Sequence, residues 1–155
     1  MVVIEISSGK AHKIKIVPVV EEDFKSITKA RYWFNWKEEK GNDIYKIQIK
    51  GENEILGLIS LEIIESESRI SIRLLAVSKE NRGKNKKYGN IVGCLLTFAA
   101  KQSIKLFGEW ACISLIPKTK LKEHYKKEYF MLEAGQSLFL DVGELIKLIR
   151  KFDHG

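Results

Sequence analysis

Residues 74–98 read Leu74-Leu75-Ala76-Val77-Ser78-Lys79-Glu80-Asn81-Arg82-Gly83-Lys84-Asn85-Lys86-Lys87-Tyr88-Gly89-Asn90-Ile91-Val92-Gly93-Cys94-Leu95-Leu96-Thr97-Phe98. An apolar strand end runs into a loop dense in Lys, Asn and Gly, and from Tyr88 or Gly89 the pattern turns helical. Ile91, Leu95 and Phe98 recur at helical spacing, Val92, Leu96 and Ala99 widen the apolar stripe, and Gly108 supplies a stop after Phe107. The start of a helix carries amides without an intrahelical acceptor and the positive end of a dipole. A glycine there lets a phosphate approach the backbone closely. Arg82, Lys84, Lys86 and Lys87 add positive charge. The physical expectation is a diphosphate-binding turn; the plainer alternative is a solvated basic loop ahead of an ordinary helix cap. Residues 83–89 lack the Gly-Lys-Ser/Thr ending of a P-loop, and the spacing is not the GxGxxG of dinucleotide-binding folds.

Just upstream, residues 69–77 alternate as a strand with a fault in phase. Ile70, Ile72 and Leu74 share one parity, while Leu75 and Val77 share the other. One extra residue bulged out near Leu74-Leu75 would bring both sets to one face. A strand end buried on both faces explains the pattern equally simply.

Further out, Lys13 to Val17 alternates as a strand and Pro18 ends it. Glu21-Glu22-Asp23 opens a helix carrying Phe24, Ile27 and Tyr32, which runs into the aromatic cluster Trp33-Phe34-Asn35-Trp36. Residues 37–43 read as a polar loop. Tyr45, Ile47 and Ile49 lie on one face of a strand that pairs with the apolar run 55–64, so residues 44–77 should form three antiparallel strands. Residues 110–116 form another strand, 118–127 a basic helix, 137–140 a short strand and 142–152 an amphipathic helix. The predicted fold is a mixed α/β single domain over residues 1–155, a mostly antiparallel central sheet flanked by helices.

Composition narrows the class. Apolar residues make up 45% and charged residues 30%, and the formal net charge is +7. That balance suits an anionic partner such as a phosphate-rich cofactor, nucleic acid or an acidic surface. No uninterrupted apolar run reaches the roughly 18 residues of a spanning helix. Met1 to Lys10 lacks the pattern of a secretory signal, so a cytoplasmic protein without a membrane segment is expected. Cys94 and Cys112 sit apart in apolar segments and are read as buried reduced thiols. His12, His124 and His154 are isolated, so no metal is expected.

Leu75-Ala76-Val77, then Asn81-Arg82-Gly83-Lys84 and Lys86-Lys87-Tyr88-Gly89-Asn90-Ile91 ahead of an apolar helix, resemble the acyl-coenzyme A motif of the GNAT N-acetyltransferases, Gln/Arg-x-x-Gly-x-Gly/Ala. Lys86 falls at its first position, Gly89 at the central glycine and Ile91 where a small residue is usual. A second segment, Lys118 to Tyr125, resembles the family's Asn-x-x-Ala-x-x-x-Tyr, with Lys118 for the asparagine and Leu121 for the alanine. The two segments and their order along the chain agree with each other.

The resemblance implies a splayed GNAT sheet with acetyl-coenzyme A as acetyl donor. Leu75, Ala76 and Val77 would bond the pantetheine arm, and the residues from Arg82 to Asn90 would hold the pyrophosphate by their amides, with Lys84, Lys86 or Lys87 near the phosphates. It also places Ile91 and Lys118 beside the cofactor and Tyr125 as the acid that protonates the departing thiolate. Five lysines between residues 118 and 127 would lower the Tyr125 pKa. The plainer alternative is that Tyr125 packs its ring. Glu109 and Glu62 are candidate bases, each equally readable as a surface carboxylate, and a water chain would serve as well. The aromatic cluster at 33–36 either packs in the core or walls the acceptor site. The acceptor is an amine of a small molecule, a protein or an aminoacyl-tRNA, and a homodimer is compatible with all of this. Two rivals stand beside this reading: a GNAT fold without catalysis, and a basic nucleic-acid-binding module, with a tRNA-directed acetyltransferase toxin between them.

Overall fold

The computed structural model describes residues 1–153; His154 lies outside them. Strands β1 (Val2–Glu5) and β2 (Ala11–Pro18) form an antiparallel hairpin. A 3-10 turn at Glu21–Lys25 and the one-turn helix α1 (Lys29–Tyr32) follow. Strands β3 (Asp43–Ile49), β4 (Gly57–Ile64) and β5 (Arg69–Val77) form the expected antiparallel meander. The two-residue strand β6 (Tyr88–Gly89) precedes the long helix α2 (Ile91–Phe107). Strand β7 (Cys112–Leu115), helix α3 (Lys122–Glu128), strands β8 (Leu132–Ala134) and β9 (Ser137–Asp141) and helix α4 (Val142–Phe152) complete the described chain. The sheet runs β6-β1-β2-β3-β4-β5-β7-β9-β8. Every neighbouring pair is antiparallel except β5 with β7.

Two cores lie on opposite faces of this sheet. Ile47, Ile59, Ile70, Ile72 and Ile113 pack with α2 and α4 on one side. Ile44, Leu58 and Ala76, their alternates along the same strands, pack on the other side with Ile27, Tyr32 and Trp36. Strand β4 is therefore apolar on both faces, as a central strand should be. The stretch Ile91–Trp110 is long and apolar enough to cross a membrane, although it contains no uninterrupted apolar run of that length. Its apolarity has a local cause, because α2 is buried along one side between the sheet and α4. Cys94 on that buried side is fully enclosed, and burial pushes its thiol pKa up to about 12.

Three expectations are corrected. The helix predicted from Glu21 is broken in two: Asp23 caps the start of the first turn through the Val20 amide at 2.8 Å, and Thr28 starts a fresh turn by accepting at 3.3 Å from the Arg31 amide that a continuous helix would have used. Tyr88 and Gly89 do not begin the helix; they pair with Glu5 and Ile4 of β1. Asn90 then takes φ +72°, a left-handed conformation that asparagine tolerates, and turns the chain into α2. The strand foreseen from Trp110 starts at Cys112, after a 3-10 turn at Gly108–Trp110.

Candidate active site

The phase fault in β5 is a bulge. Ser60 faces Leu74 while Leu61 faces Ile72, which leaves Arg73 without an opposite residue on β4. The extra residue is one position earlier than the sequence pattern suggested, and its effect is the one anticipated. Ile70, Ile72, Leu75 and Val77 all join the α2 side, and Leu74 and Ala76 join the opposite core. At the same level the sheet opens. β5 and β7 pair from Arg69 with Cys112 to Ile72 with Leu115, and no pairing continues beyond. Leu74 to Val77 thus forms one wall of a cleft, and the chain from Ile116 onward forms the other.

Glu39 holds the bulge in place. Its carboxylate is buried, accepts a hydrogen bond from Ser60 Oγ at 2.9 Å and pairs with Arg73 Nε at 2.9 Å. Contact with Glu39 keeps the Arg73 guanidinium above its usual pKa. Two cavities meet at this carboxylate. One, of about 360 Å³, lies against Ile72, Arg73, Leu74, Leu115 and Ile116, where the strands part. The other, of about 580 Å³, lies against Trp33, Phe34, Glu38 and Leu74. Both include Glu39 and Leu74 in their walls. Sequence reasoning missed Glu39. It sits in a charged loop, 37–43, among residues of the same type, and only the register of β4 against β5 brings Ser60 and Arg73 to it.

The basic turn after β5 is internally braced. Asn81 is buried, donates to Ser78 Oγ at 2.7 Å and accepts from the Tyr88 amide at 2.9 Å. The Lys87 amide donates to the Glu80 carbonyl at 3.1 Å. Two of the amides expected to bind pyrophosphate are therefore already used. The tip around Gly83, which has φ +70°, and the first turn of α2 remain for an anion. Lys84, Lys86 and Lys87 are exposed around them. Arg82 is committed to the protein: Nε donates to the Val77 carbonyl at 2.9 Å and Nη2 to the Arg31 carbonyl at 2.6 Å.

Trp33 links the two lips of the cleft. It takes φ +70°, stays half exposed, and carries Arg82 3.9 Å and Lys118 4.9 Å from its ring centroid. Arg82 follows β5 and Lys118 follows β7, so one indole touches the loops of both diverging strands. The aromatic cluster divides accordingly. Trp36 is core, with its indole N–H on the Tyr32 carbonyl at 2.9 Å, whereas Trp33 and Phe34 face a cavity.

Neither a family model nor a curated protein matches the sequence. Solved structures do match. The spermidine/spermine N-acetyltransferase SpeG from Vibrio cholerae superposes with a TM-score of 0.65 at 12% identity, covering 87% of this chain and 97% of that one. The same enzyme in a dodecameric form gives 0.62 at 14% identity, covering 85% and 95%. The ribosomal-protein-S18-alanine N-acetyltransferase from Escherichia coli gives 0.62 at 10% identity, covering 83% and 94%. This chain has the GNAT fold. Identities this low carry the fold alone, and the chemistry has to come from the residues.

Within the GNAT fold, Leu75, Ala76 and Val77 lie on the wall of the cleft, as the resemblance implies. Gly89 backs onto Ile6, whose Cδ1 would lie 3.3 Å from an added Cβ. Ile91 is buried, and it fits because residue 57 on β4 is glycine: a Cβ there would meet Ile91 Cγ2 at 3.1 Å. Tyr125, on α3, packs its ring against the α2-side core and 5.5 Å from the ring of Tyr129, which in turn lies 5.9 Å from Phe152. The expected lowering of its pKa is not found. Burial pushes the Tyr125 phenol up, because the neighbouring lysines point elsewhere: Lys122 and Lys126 pair with Glu133, and Lys118 lies on Trp33. Glu109 is also corrected as a candidate base. It is exposed in the turn before β7, at the end of the sheet where β5 and β7 are paired, whereas the cleft opens at their other end. Glu62 faces Ser71 across the β4–β5 ladder, 3.9 Å from Arg73, and lines neither cavity. His12 pairs with Glu5 at 2.9 Å, away from the cleft.

Proposed function

We propose that this chain is an acetyl-coenzyme A-dependent N-acetyltransferase acting on a primary amine. The observation that carries the reading is the coincidence of the Arg73 bulge with the point where β5 and β7 part. Beyond Ile72, β5 has no strand partner on the β7 side, and although the Val77 carbonyl is taken by Arg82, the backbone from Leu74 to Ala76 can bond an extended amide-bearing arm. The pyrophosphate end of such a donor suits the exposed lysine turn and the first amides of α2.

Acetyl-coenzyme A supplies an acyl group activated as a thioester. The neutral amine nitrogen attacks the thioester carbonyl, the C–N bond forms and the C–S bond breaks. The amine proton leaves to solvent in the open cavities, and Tyr125 gives its phenolic proton to the thiolate. Glu39, fixed in place by Arg73 and Ser60, orients the ammonium before deprotonation.

The test is mass-spectrometric detection of acetylated product after incubation with acetyl-coenzyme A and a panel of amines. Acetyl transfer to at least one amine is expected. Binding of acetyl-coenzyme A with no product from any amine would favour a non-catalytic GNAT fold. Salt-sensitive binding to nucleic acid, with no binding of acetyl-coenzyme A, would favour the nucleic-acid module.

A further inference from the structure

The cavity at the parting of β5 and β7 is where an acceptor must place its nitrogen, so its chemistry selects the acceptor. Its polar wall consists of Arg69, Arg73, Ser71, Ser114 and Ser137, with Glu39 at the far end. Within the lining two guanidiniums face one carboxylate; Glu67 and Glu62, which pair with them, are not part of it, so the groups turned to the cavity favour an oxyanion over a polycation. Arg69 is also pre-set. Glu67 grips its Nε at 2.8 Å and its Nη2 at 2.7 Å from outside the cavity, and Nη1 donates to Ser114 Oγ at 2.7 Å. Those bonds fix the plane of the fork and leave further N–H groups on both terminal nitrogens to donate. Ser114 is buried, and since its oxygen accepts from Arg69, its own O–H is left to donate. Arg73 is oriented in the same way, through Nε on Glu39, with Glu62 3.9 Å from Nη1.

We propose that the acceptor is a primary amine carrying a carboxylate or phosphate on a short arm. Its ammonium sits toward Glu39 and Leu74, and its oxyanion lies between Arg69, Arg73 and the three serine hydroxyls. The polarity of the site is opposite to what a polyamine needs. This assignment rests on the acetyltransferase reading above and goes beyond it by naming the acceptor class.

The experiment compares matched amines with acetyl-coenzyme A: alanine against alaninamide, phosphoethanolamine against ethanolamine, and γ-aminobutyrate against butylamine, with spermidine alongside. Both kcat/KM and binding to the coenzyme A-loaded protein are measured. The oxyanion-bearing member of at least one pair is preferred by roughly tenfold or more, the size expected of charge-assisted bonds. Which pair shows the gap tells carboxylate from phosphate. Arg69→Gln narrows the gap by lowering the charged member more than the neutral one. Arg69→Lys, which keeps the charge and loses the fork, falls between and serves if the glutamine variant does not fold. Equal use of both members, preference for spermidine, or an Arg69→Gln loss common to both members would overturn the proposal and leave the acetyltransferase reading standing. Failure of all these amines to bind or react while acetyl-coenzyme A binds would overturn it as well. If acetyl-coenzyme A itself does not bind, both readings fall.

Discussion

Replacing Tyr125 by phenylalanine lowers kcat by about 10²–10⁴, the usual contribution of a positioned acid, and leaves acetyl-coenzyme A affinity nearly unchanged. The substitution keeps the ring that packs with Tyr129 and the α2-side core, so the fold has no reason to change. What disappears is a proton held on a buried phenol. Burial moves the Tyr125 pKa above its ordinary value of 10.0, so the group stays protonated through neutral and mildly alkaline pH. The sign follows directly. A raised phenol pKa keeps the acid form available as pH rises, so any loss of activity from ionisation of Tyr125 comes at higher pH than for a free phenol. The kinetics are read together with a thermal melt, which separates loss of the proton from loss of the fold. A folded Tyr125→Phe protein with wild-type turnover would show that the ring only packs, and that solvent protonates the thiolate.

Gly57→Ala is expected to destabilise the protein by about 1–3 kcal/mol, the range for overpacking a tight core. An added Cβ would stand 3.0 Å from the Ala76 carbonyl oxygen, 3.1 Å from Ile91 Cγ2 and 3.3 Å from Leu95 Cδ1. The first of these is backbone of the neighbouring strand, and it cannot yield without shifting β5 beside the cleft. The other two belong to α2, whose start is the proposed anion-binding end. Stability and cofactor affinity should therefore fall together. For a chain of this size, each kcal/mol corresponds to roughly 2–4 °C in Tm. A second substitution, Ile91→Ala, removes one of the clashing groups and should recover part of the loss. An alanine variant as stable as the parent would mean that β4 and α2 are less tightly apposed than the structure has them.

Where alternation and helical stripes were strong, the elements were legible before the structure. The meander from Asp43 to Val77 and the helix from Ile91 are of this kind, because burial on a sheet face or helix side forces the period. The bulge was legible as a broken parity. Its residue was not, since parity shows that one position is extra without saying which carries the kink; the β4 register assigns it to Arg73. Short elements were the weak point. β6 is two residues long, and it exists because β1 offers an edge to Tyr88 and Gly89, a tertiary cause with no local pattern. The break at residues 26–28 was hidden as well, because Thr28 takes the Arg31 amide that a continuous helix would have bonded to the Ile27 carbonyl.

The site was half visible. Resemblance pointed to the turn after β5 and to Tyr125. It could not show that Asn81 consumes the Tyr88 amide or that Arg82 is spent on the Val77 and Arg31 carbonyls. Glu39 and Arg69 escaped because their roles depend on what faces them, and the aromatic cluster at 33–36 stood open between core and site for the same reason. A glutamate in a charged loop becomes a fixed anion only when Ser60 and Arg73 close on it. An exposed tryptophan becomes a link between the two lips only when Arg82 and Lys118 lie on its ring.

The central claim is that the cleft opened at Arg73 holds the arm of coenzyme A. Titration calorimetry of acetyl-coenzyme A against 3′-phosphoadenosine 5′-diphosphate, which keeps the pyrophosphate and lacks the arm, at fixed ionic strength, tests it most directly. Both ligands carry phosphates for the lysine turn, but only the first has an arm to enter the cleft. One acetyl-coenzyme A per chain is predicted, bound at least about tenfold more tightly than the diphosphate, as one to two net hydrogen bonds to strand backbone would give. Equal affinity for the two ligands, or no binding of acetyl-coenzyme A, would contradict the account.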